Sequence, residues 1–171
     1  MKILWNNSAG GNFNSAANWA FAGVPGPADI AAMTLSGTYT VSSHVSNTVL
    51  GFTTGAGATL AITGSSTFTA AQGTATGING GHLIVADGST LQVGGTINNA
   101  NQILLSAAGH ATEFLVMSPL TLKGGGLVSL SGDSHNLISA VGGNAVLTNV
   151  DNQIAGAGAI APAASRSHRR R

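Results

Sequence analysis

The chain has 171 residues, 6% of them charged and 5% aromatic, with 25 glycines, no cysteine and a formal net charge of +1. Low charge combined with 43% apolar residues excludes a charge-rich disordered chain, and the missing cysteines exclude a disulfide framework or a thiolate metal site. Apart from Lys2 and Lys123 the basic side chains are Arg166, Arg169, Arg170 and Arg171, so two lysines against five acids leave the body at a formal −3, with no basic face for nucleic acid.

In chain order, the first eight residues hold only a short apolar run, Ile3-Leu-Trp5. That falls short of the roughly 7–15 residues of a signal-peptide core. No stretch approaches the ~18 apolar residues of a membrane helix. No membrane insertion by this segment is expected, and a signal for export would lie outside it. Residues 1–34 hold Trp5, Phe13, Trp19, Phe21 and the turn Val24-Pro-Gly-Pro-Ala-Asp29, and are expected to form a cap over one end of the fold.

From residue 35 to 160 short alternating runs follow one another. They begin at Gly37, Ala58, Ser66, His82, Ser89, Gln102, Glu113, Leu120, Leu127, Asn136 and Ala145. Leu, Ile or Val alternates with Thr or Ser, the two-residue period of a half-buried strand. Glycine or Asp/Asn-Gly punctuates the runs, and no apolar stripe has helical spacing. The class is all-β. Two architectures fit: an antiparallel sandwich, with Asp87-Gly88 as a hairpin turn, or a right-handed parallel β-helix, a β-solenoid. The solenoid is preferred. A similar aliphatic unit recurs at Leu83, Ile103, Leu127 and Val146, spaced by one coil length, and Asn98, Asn99, Asn101, Asn136, Asn144, Asn149 and Asn152 cluster at turns where stacked amides can satisfy one another. A thin coil interior is expected to take aliphatic side chains better than large aromatics. One coil buries too little to offset the entropy of ordering it, so coils must stack. Residues 161–171 lack strand periodicity and are expected to be a disordered, Arg-rich tail.

Several stretches carry a resemblance. Asn14-Ser-Ala-Ala-Asn-Trp19, the Val24–Asp29 turn and Gly37-Thr-Tyr-Thr-Val41 resemble the opening of Gram-negative β-strand-repeat proteins of the autotransporter-adhesin passenger type. Gly88–Asn99 and Leu147-Thr-Asn-Val-Asp-Asn-Gln-Ile-Ala-Gly-Ala-Gly158 are similar to that family's coils. The resemblance implies a parallel β-helix at or beyond an outer membrane, within a longer polypeptide, with a host surface or a carbohydrate as its partner. It breaks off after Gly158, as a truncated or frame-shifted frame would.

Because parallel β-helices include polysaccharide lyases and glycoside hydrolases, catalysis is the rival reading. Glycoside hydrolysis needs two carboxylates across a cleft, and Asp133 and Asp151 are the pair whose spacing approaches one coil. Asp133-Ser-His-Asn136 holds triad residue types, but adjacency does not make a triad, and both acids read as turn residues. His44, His82 and His110 have no partner at metal-ligand spacing. Gly124-Gly-Gly126 lacks the acids of a calcium repeat. Gly55-Ala-Gly57 and Gly77-x-x-Gly80-Gly81 lack the lysine and helix of a phosphate loop and read as turns. Trp5, Trp19, Phe21 and Tyr39 read as cap packing before a sugar-stacking face. No catalytic, cofactor or metal residue is assigned; the expected role is a stalk or contact surface.

Overall fold

The computed structural model describes residues 1–70 and 76–161. The chain opens with β1 (Lys2–Leu4) and β2 (Gly11–Asn12), and two 3-10 turns (Ala16–Asn18, Ala20–Ala22) lead to β3 (Ile30–Met33), β4 (Tyr39–Ser43) and β5 (Asn47–Thr48). Next come β6 (Gly51–Thr54), β7 (Ala58–Ile62), β8 (Thr67–Ala70), β9 (Thr76–Asn79) and β10 (His82–Ala86). Two long strands, β11 (Thr90–Asn99) and β13 (Thr112–Lys123), flank β12 (Gln102–Ser106). The last are β14 (Leu127–Leu130), β15 (Asn136–Ala140), β16 (Leu147–Asn149), β17 (Gln153–Gly156) and β18 (Ala159–Ile160).

Every strand pairing among these residues is parallel, and partners come from successive coils. One ladder runs β1-β3-β6-β9, the second halves of β11 and β13, then β16. A second is the seven-stranded sheet β2-β4-β7-β10-β12-β14-β17. A third runs β5-β8, the first halves of β11 and β13, then β15 and β18. The chain visits first, second and third ladder in turn on each coil. This is a parallel β-solenoid. The sandwich is excluded because β10 and β11 belong to different ladders, so Asp87-Gly88 turns a corner of the coil and closes no hairpin.

Alternation decides which face enters the core. In the second ladder Val41, Leu60, Leu83, Ile103 and Val128 stack in register, each 1% exposed or less. The aliphatic unit read at Leu127 is shifted by one residue: Leu127 lies beside Gln102, and Val128 takes the core position over Ile103. Ile154, not Val146, continues that stack. A one-residue slip exchanges core and solvent faces, and glycine-rich turns of unequal length make the slip invisible to simple spacing.

The core is not purely aliphatic. Phe13, Phe52, Phe68 and Phe114 are 1% exposed or less, and Trp5–Trp19, Trp19–Phe13 and Phe13–Phe68 meet edge to face at 4.9, 5.0 and 5.5 Å. The expectation of a small-residue interior fails because small neighbours make room. Gly77 lies in β9, not in a turn, between Phe52 and Ile97, and a Cβ there would stand 2.9 Å from the Phe52 ring. Residues 1–34 supply β1, β2 and β3 to the column as well as the aromatic cluster at its end. The expected tail lies, beyond Ala161, outside the described residues.

Candidate functional site

The polar side chains concentrate at two corners. Where the first ladder passes to the second, Thr54 Oγ1 donates to Asn79 Oδ1 (2.6 Å), Asn79 Nδ2 to Asn99 Oδ1 (2.7 Å), and Asn99 Nδ2 to Asn152 Oδ1 (2.8 Å). All four residues are buried. Between Asn99 and Asn152 the intervening coil offers Gly124-Gly-Gly126. A Cβ on Gly126 would come within 2.7 Å of Asn99 Nδ2, so the glycines let the two amides meet across that coil. The amide stacking expected from the sequence is present at Asn99 and Asn152, with Asn79 as the member the sequence reading missed.

The motif Asn149-Val-Asp-Asn152 builds this corner. Asn149 Nδ2 donates to the Asn152 carbonyl, while Asn149 Oδ1 accepts the Asn152 N–H. Asp151 Oδ1 accepts the N–H groups of Gly124 (2.7 Å) and Gly125 (3.0 Å). The triple glycine therefore donates to a carboxylate from the next coil. The Val24–Asp29 turn is closed in both directions: Asp29 N–H donates to the Gly26 carbonyl, and Gly26 N–H to the Asp29 carboxylate. That amide, with the N-terminal ammonium 3.0 Å away, holds Asp29 below its ordinary pKa.

At the second corner, between the second and third ladders, the buried Ser66, Ser89, Thr112 and Asn136 stack inside. Outside them lie Asp87, His110, Asp133 and His135. Asp87 accepts the N–H of Ala108 (2.7 Å) and of His110 (3.0 Å), and its other oxygen lies 2.6 Å from His110 Nδ1. These contacts, the Ala108 amide foremost, lower its pKa to about 2. One coil further, Asp133 accepts the His135 N–H (2.8 Å) and lies 2.6 Å from His135 Nδ1. Its pKa is lowered for the same reasons, the His135 amide first.

Asp133 and Asp151 serve different corners, so the structure does not bring together the one carboxylate pair with coil spacing. Asp133-Ser-His-Asn136 is a turn: Asn136 Nδ2 donates to the carbonyls of Ser131, Asp133 and Ala157. His44 Nδ1 sits 2.7 Å from Thr63 Oγ1. Glu113 accepts a hydrogen bond from Ser139 on the neighbouring strand. No group of three or more metal-ligating side chains forms among the described residues. Trp5, Trp19 and Tyr39 are buried, the Trp19 indole N–H bonded to the Phe13 carbonyl (2.6 Å), whereas Phe21 is 87% exposed and stands apart from that cluster. The Asp87–His110 pair was missed because its signal is two-dimensional: the Thr90–Glu113 register sets residue 87 opposite 110.

The class that fold and corners define is the parallel β-solenoid. Compared with models of known families, with curated proteins and with solved structures, the chain matches none. No helix among the described residues is long and apolar enough to cross a membrane.

Proposed function

We propose that the chain is a structural or adhesive segment of an exported bacterial surface protein, a stalk or contact surface of the autotransporter-passenger kind. The observation that carries this reading is where the acids go. Asp29, Asp87, Asp133 and Asp151 each accept backbone N–H groups of a separate turn. Their chemistry holds the column's corners, and a column whose polar groups fix its own turns is suited to bearing length or presenting a face. The motif resemblance adds the cellular setting: display at the outer membrane, within a longer polypeptide, toward a host surface or a carbohydrate.

The test has two arms. Antibody against the chain should label intact, unpermeabilised cells of the source organism, and labelling only after permeabilisation contradicts the exported role. The purified chain, incubated with a panel of bacterial and host polysaccharides, should bind or ignore them without releasing reducing ends or unsaturated products. Product formation would establish instead the carbohydrate-active reading.

A further inference from the structure

The two ends of the column differ. At the N-terminal end Trp5, Trp19 and Phe13 fill the core, each 2% exposed or less. At the other end β16, β17 and β18 have a paired neighbour on one side only. In the third ladder Phe68, Leu91, Phe114 and Ile138 stack in register, each at most 2% exposed. Ile160 takes the next position in that register and is 67% exposed. Val146 and Val150 are 58% and 61% exposed, and a cavity of about 350 Å³ lined by Val116, Ile138, Ala140, Leu147 and Ile160 lies beside them.

We infer that this edge docks the same edge of a second copy of the chain, closing a two-fold dimer. The surface continues an interface the molecule already uses, since at each earlier level these register positions are covered by the next coil. It is free of the lysines and prolines that guard natural sheet edges. From Asn136 to Ala161 the one charged side chain is Asp151, whose carboxylate is turned to the preceding coil. An uncharged edge meets its own copy without repulsion. The aromatic cluster closes the opposite end, so each molecule has one adhesive end, which gives a closed pair and not a filament. A coil of this length supplies the roughly 20–30 residues a side of a standard interface.

Analytical ultracentrifugation of the full chain over a dilution series tests this, in salt sufficient to screen the arginines of residues 166–171. The expected result is a dimer that dissociates on dilution. Ile160→Lys should raise its dissociation constant at least tenfold, because each substitution enters a two-fold contact twice. Val150→Lys should act likewise. Both side chains are exposed in the monomer, so the circular dichroism spectrum and the melting transition of dilute protein should stay unchanged. Phe21→Lys, at the opposite end, should leave the dimer intact. A monomer at all concentrations overturns the inference and assigns the edge to residues 162–171 or to a coil of another chain. Open-ended polymers, a dimer indifferent to both lysine substitutions, or a dimer lost with Phe21→Lys also overturn it.

Discussion

Asn99 is fully buried, and its amide bonds to Asn79 on one side and to Asn152 and the Leu127 carbonyl on the other. Asn99→Ala strands Asn152 Oδ1 and the Leu127 carbonyl in an interior without water, a loss of about 1–3 kcal/mol for each buried group left unsatisfied. Urea denaturation should show a loss of that order. Asn98→Ala, on the outer face of the same strand, should cost within about 0.5 kcal/mol. Gly77 offers a steric counterpart. Gly77→Ala forces a methyl against the Phe52 ring and should cost about 1–3 kcal/mol, and in a Phe52→Leu background most of that cost should vanish. A double-mutant cycle with no coupling would show that the ring does not need the glycine. At this scale the sequence announced the asparagines, because turn amides in a repeat have few partners but one another. It concealed Gly77, because a glycine between polar residues reads as a turn when the phenylalanine above it lies 25 positions away.

Among the elements, the second and third ladders were legible. Their strands, such as His82–Ala86 and Gln102–Ser106, alternate aliphatic and polar residues over a full strand length. The first ladder was not. Gly51-Phe-Thr-Thr54 and Thr76-Gly-Ile-Asn79 are too short and too poor in aliphatics to show a period, and they become strands because neighbours above and below supply their hydrogen bonds. The continuous β11 and β13 were likewise read as separate runs, since Gly94-Gly95 and Ser118-Pro119 look like stops. They mark instead the passage from the third ladder to the first, where the register shifts between Val93 and Gly95.

The corner between coils also gives these elements a pH dependence. Asp87 is held at about 2 in the fold, below its ordinary 3.8, so its contribution is present above pH ~3.8 and lost as pH falls toward 2. Asp133 and Asp29 shift the same way. Urea midpoints should therefore fall on acidification below pH ~4, and Asp87→Asn should flatten that fall. An unchanged acid limb in the variant would show that Asp87 does not clamp the 108–110 turn.

For the whole molecule, the claim beneath all the others is the register: each strand stacked on the strand one coil earlier. The outward positions Thr59, His82 and Gln102 of the second ladder lie on successive coils, with adjacent strands about 4.8 Å apart. Because the chain has no cysteine, pairs can be introduced and read without background. His82→Cys with Gln102→Cys should close an intramolecular disulfide under mild oxidation, since their spacing falls within the ~4.4–6.8 Å that a disulfide spans. Thr59→Cys with Gln102→Cys, two coils apart at about 9.6 Å, should remain reduced. Closure of the second pair but not the first would contradict the stacked column.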